Sequence, residues 1–262
     1  LPILDDVAPM CTAETFPNHV DIFMFGVPAT GKSCVLAGLL SSNMMNYDSV
    51  LSGGRYADAM RKFVDNNCPP DPTRVNYLTT IKASVSENNK VHYFDLVEMA
   101  GEEFASKIAD NAEGSFCFED MGTGATDLLG SNNKKVFFLI VDPTKSRIRF
   151  TKQEEYTDAN NQTAYRSRVI VFNQKDSLKR IVDMFNQPEN RKVMENVDAI
   201  HFIVTKADTL GNTKEDRLNR AVNIMNTEYS LAIETLKKLS AEGHRLILWT
   251  VREGKRLEEA IQ

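Results

Sequence analysis

The chain has 262 residues, of which 42% are hydrophobic, and a formal net charge of −5. Its length permits one large hydrophobic core, and we predict a single main domain. An acidic balance argues against a protein that binds nucleic acid or a membrane surface, because both usually carry a basic excess.

No apolar run reaches the roughly 18 residues that a membrane span requires, and no signal peptide is visible, so we expect a cytoplasmic protein. The four cysteines lack C-x-x-C spacing, which suits a reducing compartment and gives no zinc framework. The histidines each lie near the start of an apolar run, so we interpret them as strand-edge residues rather than metal ligands. They are His19, His92, His201 and His244. Because the chain begins with Leu1 and not Met, we expect a segment of a longer protein.

Apolar runs that predict strands alternate with segments of helical periodicity. This alternation is typical of a doubly wound α/β fold, in which helices cover both faces of a mainly parallel sheet, here of six strands. The predicted strands are Val20–Phe25, Tyr77–Val85, Val91–Val97, Val136–Val141, Ala199–Val204 and Arg245–Thr250. Helices are predicted after Lys32 and over Glu102–Ala112, Asp176–Asn186 and Lys214–Leu239. Residues 1–19 would form an N-terminal extension and residues 20–262 the domain.

The first predicted strand runs directly into the sequence GVPATGKS, from Gly26 to Ser33. It fits the pattern G-x-x-x-x-G-K-[ST], in which glycines let backbone N–H groups point at phosphate oxygens and a helix presents its positive end. Lys32 would reach the β- and γ-phosphates of a nucleotide, and the Ser33 hydroxyl would hold Mg²⁺. The expected nucleotide-binding residues here are Gly26, Pro28, Ala29, Thr30, Gly31, Lys32, Ser33 and Cys34.

The strand Val91–Val97 is followed by Glu98-Met99-Ala100-Gly101-Glu102. A carboxylate at this place can hold Mg²⁺ through water, and the Gly101 amide can bond the γ-phosphate, so that hydrolysis releases the loop that follows. A strand followed by an acid-capped helix is the alternative interpretation.

Two stretches are interpreted as insertions. Glu113–Asn133 is rich in Gly, Asn and Ser, which predicts a flexible loop. Lys145–Arg180 contains nine Lys or Arg and four acidic residues, a local excess of five positive charges. The default explanation of this excess is a solvated surface. Alternatively, the segment binds a protein partner, mediates self-association or supplies a catalytic arginine.

The tetrapeptide TKAD, Thr205 to Asp208, comes directly after the strand Ala199–Val204. One carboxylate can accept from the adjacent N1–H and amino donors of guanine, whereas adenine has no such donor pair. We expect Asp208 to bind the base in this way, with Thr205 in the same site and the Lys206 stem across the ring. In isolation the motif would be a helix start capped by Asp208, but the carboxyl edge of an α/β sheet is where ligands bind.

Together these elements resemble the Ras-like and translation-factor-like P-loop GTPases, which carry a phosphate loop, an Asp-x-x-Gly turn and an Asn/Thr-Lys-x-Asp motif in this order. The resemblance extends from Val20 to about Gln262 and implies bound GTP or GDP with Mg²⁺. It puts Glu98 where the family has the aspartate that contacts the metal, with Asp95 as a rival.

The same resemblance implies two further parts of the site. Asp71-Pro72-Thr73 is similar to the first switch, in which a threonine closes over Mg²⁺, with Thr79 and Thr80 as rivals of Thr73. Thr250 and Val251, after the last strand, fall where backbone N–H groups of the family meet the guanine oxygen.

Glu102 is the main departure from the family, which has glutamine there to orient the attacking water. An ionised glutamate accepts a hydrogen bond from water but cannot donate one to the phosphoryl group. GTP hydrolysis by the expected catalytic residues, Lys32, Gly101 and Glu102, should therefore be slow. An arginine from the basic segment or from a second copy of the chain would compensate by about 10³ to 10⁵ in rate.

The sequence therefore predicts a Mg²⁺-dependent GTP/GDP switch with weak GTPase activity. Two alternatives stay open. One is a catalytically inert nucleotide-binding scaffold that assembles proteins through the two insertions, and the other is an ATP-dependent P-loop enzyme in which TKAD is coincidental.

Overall fold

A computed structural model describes residues 19–42, 45–47, 53–66, 78–101, 105, 107–108, 117–121, 123–157, 162–241, 243–251 and 257–259. The strands are β1 Val20–Phe25, β2 Met45–Tyr47, β3 Leu78–Glu87, β4 Lys90–Met99, β5 Lys134–Val141, β6 Arg147–Thr157, β7 Thr163–Asn173, β8 Val197–Val204, β9 Arg245–Val251 and β10 Leu257–Glu259. The α-helices are α1 Lys32–Leu40, α2 Gly54–Asp65, α3 Thr123–Gly130, α4 Gln174–Phe185, α5 Arg191–Met194, α6 Lys214–Thr227 and α7 Ser230–Ala241. Short 3₁₀ turns cover Phe118–Met121, Pro188–Asn190 and Ala207–Leu210.

The main sheet is mixed and mostly parallel, with the strand order β10-β9-β8-β5-β1-β4-β3-β2. Strands β4, β1, β5, β8 and β9 run parallel, and the pairs at the two ends are antiparallel. The α/β class and all six predicted strands are confirmed, and the three-residue strands β2 and β10 extend the described sheet to eight. The connection that follows β1 leads to the β4 side of the sheet, and the connection that follows β5 leads to the β8 side. The topological switch point, where α/β sheets bind ligands, therefore lies between β1 and β5.

Each face of the sheet has its own hydrophobic core, because successive strand side chains point to opposite sides. On one face Met24 of β1 packs with Leu36 of α1 and Met60 of α2. On the other face the core contains Phe25 and Phe185, whose ring centroids are 5.6 Å apart. Helices therefore cover both faces, as the sequence pattern predicted.

The single helix predicted over Lys214–Leu239 is wrong, since the chain forms two helices there. Helix α6 ends at Thr227 and α7 begins at Ser230. Between them the buried Tyr229 ring packs edge-on against Phe202 of β8, with 5.6 Å between centroids. The first helix ends where the Tyr229 ring is buried in the core.

The flexible loop predicted over Glu113–Asn133 is also wrong for the residues that the structure describes. They form the 3₁₀ turn Phe118–Met121 and helix α3, which buries Ala125, Leu128 and Leu129. This i, i+3, i+4 apolar spacing decides the local structure, although the segment is rich in glycine. The N-terminal extension, apart from His19, and most of the helix predicted over Glu102–Ala112 lie outside the described residues.

The basic segment Lys145–Arg180 consists mainly of an antiparallel hairpin. Strands β6 and β7 pair from Arg147 with Asn173 to Thr157 with Thr163, and the chain then enters α4. The hairpin lies between β5 and α4 as an insertion into the alternating βα pattern. No helix in the described part of the chain is both long enough and apolar enough to cross a membrane.

Candidate functional site

The sequence GVPATGKS forms a tight loop between the end of β1 and the start of α1. Ala29 and Gly31 adopt left-handed backbone conformations, with φ of 61° and 91°, which curl the chain inward. A Cβ on Gly26 would lie 2.7 Å from the Ile140 carbonyl oxygen, so the loop passes too close to β5 for any side chain there. The Thr30 hydroxyl donates to the Val27 carbonyl at 3.0 Å and closes the turn.

Helix α1 begins at this loop with an electropositive end. Its N-cap, Gly31, provides no side-chain acceptor, and the first turn of α1 contains no acidic residue. The first turn instead carries Lys32, Ser33 and the partly buried Cys34. A helix start of this kind favours an anion, because its backbone N–H groups and its dipole both point toward it.

The Lys32 side chain folds back over the loop. Its ammonium group donates to the carbonyl oxygens of Gly26 at 2.8 Å and Val27 at 3.1 Å. Gly101, just after β4, lies directly against this arrangement, since a Cβ on it would be 2.5 Å from Lys32 Nζ and 2.8 Å from Pro28 N. Two of the three expected catalytic residues are thus brought together, while Glu102 lies outside the described residues.

The two expected metal-site residues on this face are in contact. The Ser33 hydroxyl donates to Glu98 Oε1 at 2.6 Å, and the Tyr56 hydroxyl of α2 donates to the other carboxylate oxygen, Oε2. Glu98 is 0% exposed. The rival Asp95 lies three residues earlier on β4, points to the opposite face and contacts His19.

The three candidate switch threonines differ in position. Thr73 lies outside the described residues. Thr79 of β3 is the cross-strand partner of Glu98 and shares its face, and its buried hydroxyl has no hydrogen-bond partner among the described residues. Thr80 is buried on the opposite face, next to Val97 in register.

The TKAD motif contacts the GVPATGKS loop directly. The Thr205 hydroxyl lies 2.7 Å from the Thr30 carbonyl oxygen and 2.9 Å from that of Val141, and it donates to these acceptors. A Cβ on Gly31 would be only 3.2 Å from the Thr205 methyl group. The end of β8 is therefore tied to the loop and to the neighbouring strand β5.

Comparison with known proteins does not assign the chain to a family. No protein-family model matches it. No curated protein is significantly similar to it in sequence.

The next residue, Lys206, has a left-handed backbone with φ of 49°, and its ammonium group pairs with Asp142 Oδ2 at 2.6 Å. Burial acts to raise the pKa of Asp142, but the hydrogen bonds from Lys206 and Thr144 outweigh it and lower that pKa. The carboxylate is therefore held ionised. Asp208 is exposed in the 3₁₀ turn that follows.

The last strand was predicted to end at Thr250, and in the structure β9 continues for one more residue, to Val251. Both are the final residues of β9, and they pair in register with Glu258 and Leu257 of β10. The strand is longer than predicted because β10 supplies a second neighbour for its end.

Sequence reasoning missed two residues that hold this site together, Tyr56 and Asp142. Asp142 had a usable signal, since an acid directly after the strand ending at Val141 lies at the same carboxyl edge as the two motifs. Tyr56 had none, because its contact with Glu98 joins residues 42 apart through the packing of α2 on the sheet.

Proposed function

We propose that this chain is a P-loop GTPase, a Mg²⁺-dependent switch that binds GTP or GDP and hydrolyses GTP slowly. The observation that carries the proposal is the 2.6 Å contact between the Ser33 hydroxyl and the Glu98 carboxylate, directly beside the phosphate loop. A hydroxyl and a carboxylate are oxygen ligands of the kind that Mg²⁺ accepts when it is also held by nucleotide phosphates. Bound Mg²⁺ would supply positive charge to the β- and γ-phosphate oxygens.

The phosphate end of the proposed ligand is supported by the start of α1. The uncapped helix and Lys32 together present positive charge and backbone N–H donors to one small volume. In the structure Lys32 donates to two loop carbonyls, which are weaker acceptors than phosphate oxygens. We expect its ammonium group to exchange these carbonyls for phosphate oxygens when nucleotide binds.

The base end is supported by the hydrogen bond between Thr205 and the Thr30 carbonyl. It holds the segment that carries Lys206 and Asp208 beside the loop that would hold the phosphates. The ion pair with Asp142 then anchors the Lys206 stem, while the exposed Asp208 is accessible to a base. A carboxylate that accepts two adjacent donors favours guanine over adenine.

The switch is supported by the packing of Gly101. Its backbone lies against Pro28 and the Lys32 ammonium group, so a γ-phosphate in the loop would reach the Gly101 N–H. Loss of that phosphate would release the start of the segment after β4. Slow hydrolysis follows from Glu102, which cannot donate a hydrogen bond to the transferring phosphoryl group while it is ionised.

Calorimetric titration of the chain with GTP, GDP and ATP, each with Mg²⁺, tests this proposal. We expect micromolar affinity for both guanine nucleotides and no measurable binding of ATP. Asp208→Asn should abolish GTP binding and permit binding of xanthosine triphosphate, because xanthine has an acceptor where guanine has the amino donor. Asp198→Asn, an exposed carboxylate at the other end of β8, is the matched control and should bind like the unaltered chain. Preference for ATP, or unchanged GTP affinity of Asp208→Asn, would contradict the guanine assignment.

An inert scaffold is the second candidate, and the β6–β7 hairpin favours it. Tyr165, Val169 and Val171 on β7 are exposed at 68%, 44% and 58%, and lie on one face of the hairpin. Large apolar side chains that cluster on a surface are typical of contacts with another protein. Multiple-turnover release of phosphate from GTP that disappears in Lys32→Ala would exclude an inert protein.

A further inference from the structure

The amino edge of the sheet, opposite the proposed phosphate loop, carries a row of four charged side chains, three of which are buried. Asp21 of β1 is in register with Asp95 of β4 and with Lys135 of β5, and Lys82 of β3 is in register with Asp95. Residues in register share a face, so these four side chains lie side by side across four strands. Asp21, Asp95 and Lys135 are at most 1% exposed.

The Asp21 and Lys135 end of the row is satisfied by the turn before β5. Asp21 accepts hydrogen bonds from Ser131 Oγ at 3.0 Å and from Asn133 Nδ2 at 3.1 Å. The Lys135 ammonium group donates to the Ser131 and Asn133 carbonyls at 2.7 and 2.8 Å. These contacts supply hydrogen-bond partners for the buried carboxylate of Asp21, but not for the second buried carboxylate, Asp95.

Asp95 faces the imidazole of His19, which is itself only 6% exposed. His19 Nε2 lies 3.3 Å from Asp95 Oδ1 and 3.6 Å from Asp21 Oδ1. Yet Asp95 Oδ1 is fully buried and accepts no hydrogen bond from any described residue. One imidazole nitrogen and two carboxylate oxygens therefore converge on one small buried volume.

The spacing of the three groups suits a metal ion. One ligand atom from each of His19, Asp21 and Asp95 lies within 4.8 Å of the other two. Bonds of about 2.0 to 2.1 Å at tetrahedral angles put ligand atoms about 3.3 Å apart, which is close to the two short separations seen here. A nitrogen ligand favours Zn²⁺ over Mg²⁺, which prefers an all-oxygen octahedron.

We propose that His19, Asp21 and Asp95 bind one Zn²⁺ ion at the amino edge of the sheet. The ion balances the two buried carboxylates and ties the start of β1 to β4. It is separate from the proposed nucleotide site, because Asp21 and the end of β1 at Phe25 are about 13 Å apart along an extended strand. The role is structural, since the site is buried and its ligands lie on β1, directly before β1 and on β4.

Metal content measured on the full chain tests this site. After incubation with Zn²⁺ and removal of the excess, the unaltered chain should retain one Zn²⁺ per molecule by mass spectrometry. His19→Ala and Asp95→Asn should lose it, whereas His92→Gln, an exposed histidine also on β4, and Lys32→Ala should keep it. Equal Zn²⁺ content in all five proteins, or none in the unaltered chain, would overturn the proposal.

A second measurement needs no variant, and so it decides the question even if His19→Ala does not fold. Co²⁺ bound in place of Zn²⁺ should give the intense visible absorption of a tetrahedral site, unaffected by saturating Mg²⁺ and GTP. Zn²⁺ at about 100 times its Kd should raise the Tm by roughly 5 to 10 °C. Absence of the tetrahedral spectrum and an unchanged Tm would refute a metal site.

Discussion

The close approach of Gly101 to the loop Gly26–Ser33 makes Gly101→Ala a direct test of the proposed switch. The added Cβ would lie 2.5 Å from Lys32 Nζ, 2.8 Å from Pro28 N and 3.0 Å from Pro28 Cα. Lys32 can turn its flexible end aside, but the Pro28 backbone belongs to the loop itself. To restore an ordinary contact of 3.4 Å, either the loop or the segment after β4 has to move by about 0.6 Å.

The expected cost follows from that displacement. Added atoms in a packed site lower the free energy of unfolding by about 1 to 3 kcal/mol. The better helix propensity of alanine offsets about 0.5 to 1 kcal/mol of this loss. The free energy of unfolding should therefore fall by about 0.5 to 2 kcal/mol. Because a misplacement of about 1 Å can cost a hundredfold in the function of a site, we expect GTP affinity to fall by about tenfold or more.

Urea denaturation and GTP titration of the same protein measure the two effects. Gly130→Ala is the matched control, because a Cβ at the end of α3 meets no atom within 4 Å. It should leave both stability and GTP affinity as they are, or increase stability slightly. If Gly101→Ala behaves like this control, the argument that Gly101 packs against the phosphate loop is refuted.

Two further substitutions test other contacts. Thr205→Val removes the donor to the buried Thr30 carbonyl and should lower the free energy of unfolding by about 1 to 3 kcal/mol in urea denaturation. The exposed Thr209→Val is its control, and equal losses would contradict a special role for Thr205. Burial lowers the pKa of Lys135 to about 8, so the unfolded chain binds one more proton than the folded chain between pH 8 and its ordinary pKa of 10.5. Stability should therefore gain up to about 1.4 kcal/mol per pH unit in this window relative to Lys135→Met, and parallel pH profiles of the two proteins would contradict this linkage.

The strands of the central sheet were predictable because they are nearly continuous apolar runs. Val20–Phe25 and Val136–Val141 have helices packed on both of their faces, so few polar residues interrupt them. The neighbourhood of Ser33 and Glu98 was also predictable, since Ser33 follows β1, Glu98 lies near the end of β4, and the carboxyl ends of these parallel strands meet at one edge.

The remaining features depend on packing between distant segments. Tyr56 contacts Glu98 because α2 packs on the sheet, and no local pattern encodes that distance. His19 looks like an isolated strand-edge histidine until the register of β1 and β4 brings Asp95 beside it. The break before Ser230 was missed because the apolar periodicity continues through Tyr229 while the backbone changes direction.

The β6–β7 hairpin has a consequence for the behaviour of the protein at high concentration. Within the described residues these two strands pair only with each other, so the outer side of each offers backbone groups to a strand of another molecule. Such long edges are prone to aggregation, and charged side chains are a common protection against it. Both strands carry arginines, with Arg147 and Arg149 on β6 and Arg166 and Arg168 on β7. Such charges on an edge strand oppose the pairing of two copies through repulsion between like charges.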